Sequence, residues 1–174
     1  MEAVLLSLHV LAGIVFVGGS AVATSLFPRY APVAAGVPVG PAAGADPAGP
    51  SPAAPEAVTE ASGEASGERN RAVAVALHRI TRVYGVLGVV VPVVGIVLAV
   101  VQGRMGEGWI FVSMVLTAAA GGLLAVRIYP EQRDALAEPD DGRRLRTLSM
   151  LAGIYNLLWA VVVVLMIARP GAYP

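Results

Sequence analysis

Four side chains in this sequence could carry chemistry within an apolar environment: His9, His78, Ser113 and Asn156. His9 lies inside an apolar run that begins at Val4, at a depth of roughly 8 Å if the run is helical. An imidazole at that depth in a membrane is costly unless paired, so His9 is a candidate cofactor-binding residue. The alternative is a neutral histidine that hydrogen-bonds to a neighbouring helix, for example through Asn156 or Ser113.

The other candidates favour structural roles. His78 lies beside Arg79 and Arg82, which is typical of a residue at the membrane interface. Asn156 lies near the middle of the last apolar run, where a buried amide fixes helix register or joins a binding site. Because His9 and His78 begin consecutive spanning helices, they face opposite sides of a bilayer and cannot ligate one haem together.

Two absences in the sequence exclude further chemistry. The chain has no Cys, which excludes disulfides, thiolate catalysis and Cys-based metal sites. All 12 basic residues are Arg, so no Lys serves as a Schiff-base nucleophile or a ligand. The formal net charge is zero and no basic run occurs, so we expect no nucleic-acid partner.

The elements that position these residues are apolar runs long enough to cross a bilayer. Hydrophobic residues make up 56% of the chain and charged residues 14%, and the mean hydropathy is +0.72. Four runs, at 4–27, 83–101, 109–128 and 148–168, approach the roughly 20 residues that a spanning helix needs. The sequence therefore predicts an all-α fold: a four-transmembrane-helix bundle in a single integral membrane domain. The first run lacks a basic leader, so we expect it to be retained.

A long segment between the first two runs has a different composition. Residues 31–68 consist mainly of Ala, Pro and Gly, and end in a repeat of Glu-Ala-Ser-Gly. Such a segment cannot bury enough apolar surface to offset the entropy lost on ordering. We therefore predict a disordered loop over 31–68, followed by a helix that Asn70 caps before the second span. A partner-binding segment is the alternative.

The distribution of Arg predicts the orientation. Ten of the 12 Arg flank the first and third loops, and two lie on the other side. Since cytoplasmic loops are enriched in basic residues, we expect loops one and three in the cytoplasm and both termini outside. The two sets are Arg29, Arg69, Arg71, Arg79, Arg82, Arg127, Arg133, Arg143, Arg144 and Arg146, against Arg104 and Arg169. The composition is typical of a bacterial plasma membrane protein.

Each predicted span has one face of small and polar residues, and such faces bring membrane helices together. Pro92, between Gly88 and Gly95, predicts a kink in the second span. The short second loop predicts that the second and third helices are antiparallel neighbours. The four faces comprise His9, Gly13, Phe16, Ser20 and Thr24; His78, Thr81, Gly85, Gly88, Pro92, Gly95 and Ala99; Ser113, Thr117, Gly121 and Ala125; and Ser149, Gly153, Asn156 and Ala160.

The segment Leu8–Gly19, with His9, Phe16 and Gly18-Gly19, resembles the first helix of a group of small bacterial membrane proteins. The group comprises CopD-like copper-resistance proteins, HemJ-type protoporphyrinogen oxidases and related integral membrane families of unknown function. Segments 77–95 and 109–112 resemble their second and third helices. The resemblance implies haem binding by a first-helix His and a third-helix Lys in HemJ-type proteins, and copper handling in CopD-like ones. Of the haem pair only His9 carries over, because Ser113 follows Val112 and the chain has no Lys.

Three functions follow as hypotheses. The first is a non-enzymatic four-helix membrane scaffold or subunit, with no cofactor and with the lipid bilayer as its main partner. The second is a haem- or copper-linked membrane redox protein that uses His9 as a ligand. The third is a small-solute or ion transporter that uses the kink at Pro92 and the polar faces. The small-residue faces also allow a homo-oligomer.

Overall fold

The computed structural model describes the backbone of residues 2–34 and 56–171, and the side chains of residues 3–34 and 70–171. Within those residues all the regular secondary structure is helical. Lipid offers the backbone no hydrogen-bond partner, so apolar runs of this length satisfy their own N–H and C=O groups as helices. The helices are α1 (Glu2–Ala12), α2 (Gly18–Tyr30), α3 (Glu56–Leu87), α4 (Val90–Val101), α5 (Gly108–Leu123), α6 (Tyr129–Ala137) and α7 (Arg143–Ala168).

These helices form four continuous or nearly continuous rods that are long and apolar enough to cross a membrane. The predicted four-helix architecture is confirmed. Each rod extends beyond the apolar run that predicted it, because the helix continues into flanking polar residues. The four spans are Ala3–Tyr30, Asn70–Val101, Gly108–Ala137 and Arg143–Ala168.

The segment between the first two spans differs in part from the sequence prediction. The disordered loop predicted for 31–68 lies outside the described residues at 35–55. Helix α3 begins at Glu56, inside the predicted loop, and continues through Asn70, so Asn70 is not a helix cap. The Glu-Ala-Ser-Gly repeat contains good helix formers, Glu and Ala, and joins a longer helix that offsets its glycines.

The second span is interrupted where the sequence predicted a kink. Helix α3 ends at Leu87 and α4 begins at Val90. Pro92 has no N–H to donate to the carbonyl of Gly88, four residues earlier. The N–H of Val91 donates to that carbonyl instead, at 3.1 Å, which tightens the backbone at the interruption. The prediction of a kink at Pro92 is confirmed.

Two π-helical turns interrupt the first and third spans, at Gly13–Val17 and Leu124–Ile128. A π turn inserts extra backbone into a helix and rotates the residues after it relative to those before it. The face that a helix presents to its neighbours therefore changes along the first and third spans.

The spans pack unevenly. Helix α2 packs against α3 and α7, α5 packs against α7, and α1 packs against α4. The predicted pairing of the second and third spans is present mainly between α3 and α6, whereas α4 and α5 meet only briefly.

One end of the bundle, where loops one and three lie, holds a continuous apolar core. We call it the closed end; its core is formed by Ala23, Phe27, Ala74, Leu77, Ala120, Leu124, Ile128, Ala135, Leu148, Leu151 and Tyr155.

We call the other end, which carries the described ends of α1 and α7, the open end. Its buried residues do not join that core, and include Ala12, Leu98, Ala99, Ile110 and Val162. The closed end is also fastened through its loops, since the N–H of Ala34 donates to the carbonyl of Asp140 at 2.9 Å. This contact places loops one and three on the same side of the bundle.

The predicted packing faces are correct in the first two spans and wrong in parts of the last two. Ser20, Thr24 and Thr81 are buried as predicted. In contrast, Gly121 and Ala125 are exposed, since the buried face of the third span runs through Ala120, Leu124 and Ile128. In the fourth span, Ser149, Gly153 and Ala160 are exposed, because a different face is turned towards the bundle, formed by Leu148, Leu151, Ala152, Tyr155 and Val162.

Glycine contacts explain why the prediction succeeds where it does. A Cβ on Gly19 would lie 2.9 Å from the ring of Tyr84, and one on Gly85 would lie 3.0 Å from Leu124. The absence of a side chain at Gly19 and Gly85 allows these close approaches between spans. Gly121 has no neighbouring atom within 4 Å of the corresponding position, so its small size is not used in packing within the chain.

Candidate functional site

A concave feature lies at the interruption of the second span. It is a cleft of about 360 Å³, and the four spans all contribute to its walls. The break in the helix and the limited contact between α4 and α5 leave this space unfilled. We call it the central cleft; the residues that matter for its chemistry are Ser20, Tyr84, Pro92, Thr117, Tyr155 and Trp159.

The central cleft opens to the outside between the second and third spans. Val89 on one side, and Ala118 and Gly122 on the other, line the cleft and are exposed. In a bilayer this surface faces lipid, not water. A membrane-dissolved molecule therefore has direct lateral access to the cleft.

A hydroxyl pair forms one polar part of the cleft. The hydroxyl of Ser20 donates to the carbonyl of Val17 at 2.9 Å, and its oxygen lies 2.8 Å from the hydroxyl oxygen of Tyr155. Because a serine hydroxyl has a single hydrogen, Tyr155 is the donor in the second bond. The hydroxyl hydrogens of Ser20 and Tyr155 are thus both used in hydrogen bonds. The Tyr155 oxygen can still accept a hydrogen bond.

Thr117 supplies a second polar group. Thr117 lines the cleft, and its hydroxyl has no hydrogen-bond partner among the described residues. Other hydroxyls in the spans donate to carbonyls of their own helix: Thr24 to Ser20 at 2.9 Å and Thr81 to Leu77 at 3.0 Å. Thr117 therefore offers both a donor and an acceptor to a molecule in the cleft.

Aromatic rings line the rest of the cleft. Tyr155 and Trp159 meet edge to face with ring centroids 6.4 Å apart, and Phe16 and Tyr84 meet at 6.2 Å. Such pairs favour rigid, apolar walls. The cleft thus combines apolar surface with a few polar side chains, namely Ser20, Tyr84, Thr117, Tyr155 and Trp159, whose Nε1 is buried without a partner. This is the usual composition of a small-molecule site.

His9 lies apart from the residues that line the cleft. It is buried, with 9% of its surface exposed, and its ring lies beside the backbone of Val91. Its Nδ1 has no partner. A Cβ on Gly95 would lie only 2.9 Å from Cε1 of the ring, so the imidazole packs closely on the second span. The geometry fits a residue that joins two helices, and the prediction of a haem or copper ligand remains a prediction.

The other predicted intramembrane residues do not bond to His9. Asn156 donates from Nδ2 to the hydroxyl oxygen of Ser25 at 2.9 Å, and its Oδ1 is buried without a partner. Ser113 is buried and its hydroxyl has no partner. The expected link from His9 to Asn156 or Ser113 is absent, since the His9 Nδ1 and the Ser113 hydroxyl have no partner and the Asn156 amide donates to Ser25. The bond from Asn156 to Ser25 joins the fourth span to the first.

His78 belongs to a contact at the closed end that sequence reasoning missed. Its Nδ1 lies 3.2 Å from Oε1 of Gln132, and its ring stacks on Tyr129 with centroids 4.6 Å apart. Since a carbonyl oxygen only accepts, Nδ1 is the donor. Gln132 is fully buried and its Nε2 has no partner. No local pattern identifies Gln132, which lies in a polar segment after the apolar run.

The carboxyl groups of Asp140 in loop three and Glu107 in loop two both have lowered pKa values. Partial burial opposes ionisation of Asp140, but the N–H groups of Arg144 and Gly142, with the Arg144 charge, hold the pKa of its carboxyl below the ordinary value. Asp140 accepts from Gly142 at 2.9 Å and from Arg144 at 3.0 Å, which satisfies N–H groups at the start of α7. On the opposite loop, hydrogen bonds from Arg104 and Trp109 lower the pKa of Glu107.

The described residues contain no group of three or more His, Asp or Glu that could hold a metal ion. No protein-family model matches the chain, and no curated protein or solved structure is significantly similar to it. The resemblance to CopD-like and HemJ-type proteins thus stays an expectation, and the roles of individual residues rest on geometry.

Proposed function

We propose that this chain is a multi-pass membrane protein that acts as a non-enzymatic four-helix scaffold or subunit. The proposal includes a bacterial plasma membrane location, with loops one and three in the cytoplasm and both termini outside. The four apolar spans are compatible with membrane insertion. The Arg excess around loops one and three supports the orientation.

The observation that carries the proposal is the use of polar side chains as links between spans. Tyr155 bonds to Ser20, and Asn156 bonds to Ser25, so both link the first and fourth spans. In the same way, the bond between His78 and Gln132 links the second span to the third. Interhelical hydrogen bonds of this kind hold membrane bundles together, which supports a structural role for these residues.

The outer surface supports association with lipid and with another protein in the membrane. Large apolar side chains are exposed along all four spans, including Ile14, Val86, Phe111 and Ile167. The exposed Gly121 and Gly122 add a part of the third span that another helix can approach closely. A lipid bilayer covers the apolar surface. A second copy of the chain or a partner subunit can pack against the surface around Gly121 and Gly122.

The redox alternative is favoured by a single observation, the unpartnered Nδ1 of buried His9. The close contact of its ring with Gly95 leaves no space for a flat ligand on that side.

The transporter alternative is favoured by the break before Pro92 and the central cleft. A complete path would require an assembly of several copies, and ion or solute flux through proteoliposomes tests it.

The deciding experiment is an absorption spectrum and metal analysis of the purified protein, with His9→Ala and the matched control His78→Ala. We expect no chromophore and no stoichiometric metal in any of the three, with His9→Ala less stable than wild type. A Soret band or bound copper that His9→Ala loses and His78→Ala keeps would establish the redox function and refute the scaffold proposal.

Because the chain contains no Cys, its orientation can be tested with single introduced cysteines. Gly106→Cys marks loop two and Glu138→Cys marks loop three, and both positions are exposed. We expect a membrane-impermeant maleimide to label Gly106→Cys in intact cells. Glu138→Cys should react only after permeabilisation, and the reverse pattern would invert the proposed topology.

A further inference from the structure

We propose that the central cleft binds a membrane-soluble alcohol or phenol, held through its hydroxyl group by Thr117 and Tyr155. This inference goes beyond the scaffold role and does not depend on it. It rests on the space in the cleft, its access from the bilayer and the hydrogen-bonding capacity of its walls.

The space suits a small apolar body. The cleft has a volume of about 360 Å³, whereas an apolar cavity of about 150 Å³ is enough to bind benzene. The exposed edges at Val89, Ala118 and Gly122 admit a ligand from the side. A ligand therefore enters from the lipid and does not need a route through water.

Thr117 requires a partner that the described part of the chain does not supply. Thr24, Thr81 and Ser149 satisfy their hydroxyls on carbonyls of their own helices, but Thr117 does not. Within a bilayer, water is not available to satisfy such a group, and an unpaired hydroxyl costs free energy. The hydroxyl is therefore available to donate to an oxygen atom in the cleft.

Tyr155 determines which oxygen compound fits best. Both bonds of Ser20 form together only when Ser20 donates to Val17 and Tyr155 donates to Ser20, and in that arrangement the Tyr155 oxygen can only accept. A ligand carbonyl could accept from Thr117, or from the unpartnered N–H of Trp159, but would offer nothing to Tyr155. A ligand hydroxyl accepts from Thr117 and donates to Tyr155, so it satisfies both walls.

Trp159 provides a direct reporter of occupancy. The chain has two Trp; Trp159 lines the cleft, and Trp109 lies beside loop two. Trp109→Phe therefore leaves one fluorophore at the site. In liposomes containing this variant, the probes are 4-bromophenol and bromobenzene, which differ by the hydroxyl and quench tryptophan through the bromine atom. Each is compared at equal mole fraction in the bilayer.

We expect 4-bromophenol to quench Trp159 with a saturable curve, at lower mole fraction than bromobenzene. Thr117→Val keeps the side-chain shape and should weaken the half-saturation value for 4-bromophenol about two- to tenfold, the effect of one lost hydrogen bond. It should leave bromobenzene unchanged. Gly122→Leu should abolish the saturable component, because Gly122 lines the cleft and no atom lies within 4 Å of its Cβ position, so a larger side chain can be accommodated at the opening.

Three results would overturn the proposal. Equal quenching by the two probes would show that the hydroxyl is not recognised. An unchanged response in Thr117→Val would remove the proposed donor. Quenching that rises linearly and is the same in Gly122→Leu would mean that bilayer chains fill the cleft without a specific site. A variant with Trp159→Phe, which retains Trp109, measures the non-specific contribution.

Discussion

The closed end and the open end of this bundle use different interactions. At the closed end, Phe27, Ile128 and Leu148 are completely or almost completely buried in one core. At the open end, His9 packs on Gly95, and most neighbouring side chains face outward. The central cleft lies between these regions, where the second span is interrupted.

This difference indicates that the closed end stabilises the fold, whereas the region towards the open end is available for binding. Within lipid, burial of apolar side chains gains little from the hydrophobic effect, so close packing provides most of the helix association. The closed end has that packing, and we expect it to determine the stability of the bundle. The open end has fewer buried contacts and can adjust to a ligand without loss of the fold.

The largest effect is expected from removal of a core side chain at the closed end. Phe27 is 0% exposed, so Phe27→Ala leaves a cavity and should lower the free energy of unfolding by about 3 kcal/mol. Ile167 is 78% exposed, and Ile167→Ala should change it by less than about 0.5 kcal/mol. Reversible unfolding by sodium dodecyl sulfate in bicelles measures both. Equal losses would contradict the division between the two ends.

The sequence predicts the four spans because the bilayer leaves few alternatives. A run such as 148–168 must form a helix in lipid, whatever its neighbours are. Pro92 likewise predicts the interruption of the second span, because the missing N–H is a property of one residue. The burial of both Ser20 and Thr24, four residues apart in α2, follows from helical periodicity.

The central cleft and its hydrogen bonds could not be predicted in this way. The bond between Ser20 and Tyr155 depends on how the first and fourth spans are rotated relative to each other. The buried face of the fourth span contains large side chains such as Leu148 and Leu151, whereas the sequence pattern predicted a face of small residues. The π turn at Leu124–Ile128 changes the face of the third span and has no clear sequence signal.

A second test addresses the open end through its closest contact. Gly95→Ala places a Cβ against the ring of His9 and should lower the free energy of unfolding by about 1–2 kcal/mol. Gly153→Ala is the matched control, because no atom lies within 4 Å of its Cβ position. In a His9→Ala background the added methyl group has space, so the effect of Gly95→Ala should become smaller. An unchanged effect would show that the two residues are not coupled.

A smaller effect is expected for the hydroxyl pair at the boundary between the two ends. Tyr155→Phe removes the bond to Ser20 and should lower the free energy of unfolding by about 0.6 kcal/mol, the average for such bonds in a membrane protein. Ser149→Ala is the control, since that hydroxyl bonds only within its own helix. Adding Ser20→Ala to Tyr155→Phe should cause little further loss. A full additive loss would mean that the bond contributes nothing to stability.

The smallest effect concerns pH and the loop that fastens the closed end. The carboxyl of Asp140 has a pKa below its ordinary value in the folded protein, because N–H groups of Arg144 and Gly142 donate to it despite its partial burial. A lowered folded pKa stabilises the protein at pH values above the ordinary pKa, and this contribution disappears as the pH falls through the folded value. Asp140→Ala should therefore be less stable than wild type near neutral pH.

The difference between Asp140→Ala and wild type should shrink as the pH falls from about 5 to about 2, because protonation removes the same bonds in the wild type. Asp141→Ala is the control, since Asp141 forms its ion pair with Arg143 at the exposed surface of the same loop. Unfolding titrations of the three proteins at several pH values provide the comparison. A pH-independent difference for Asp140→Ala would place its contribution in loop geometry and not in the ionised carboxylate.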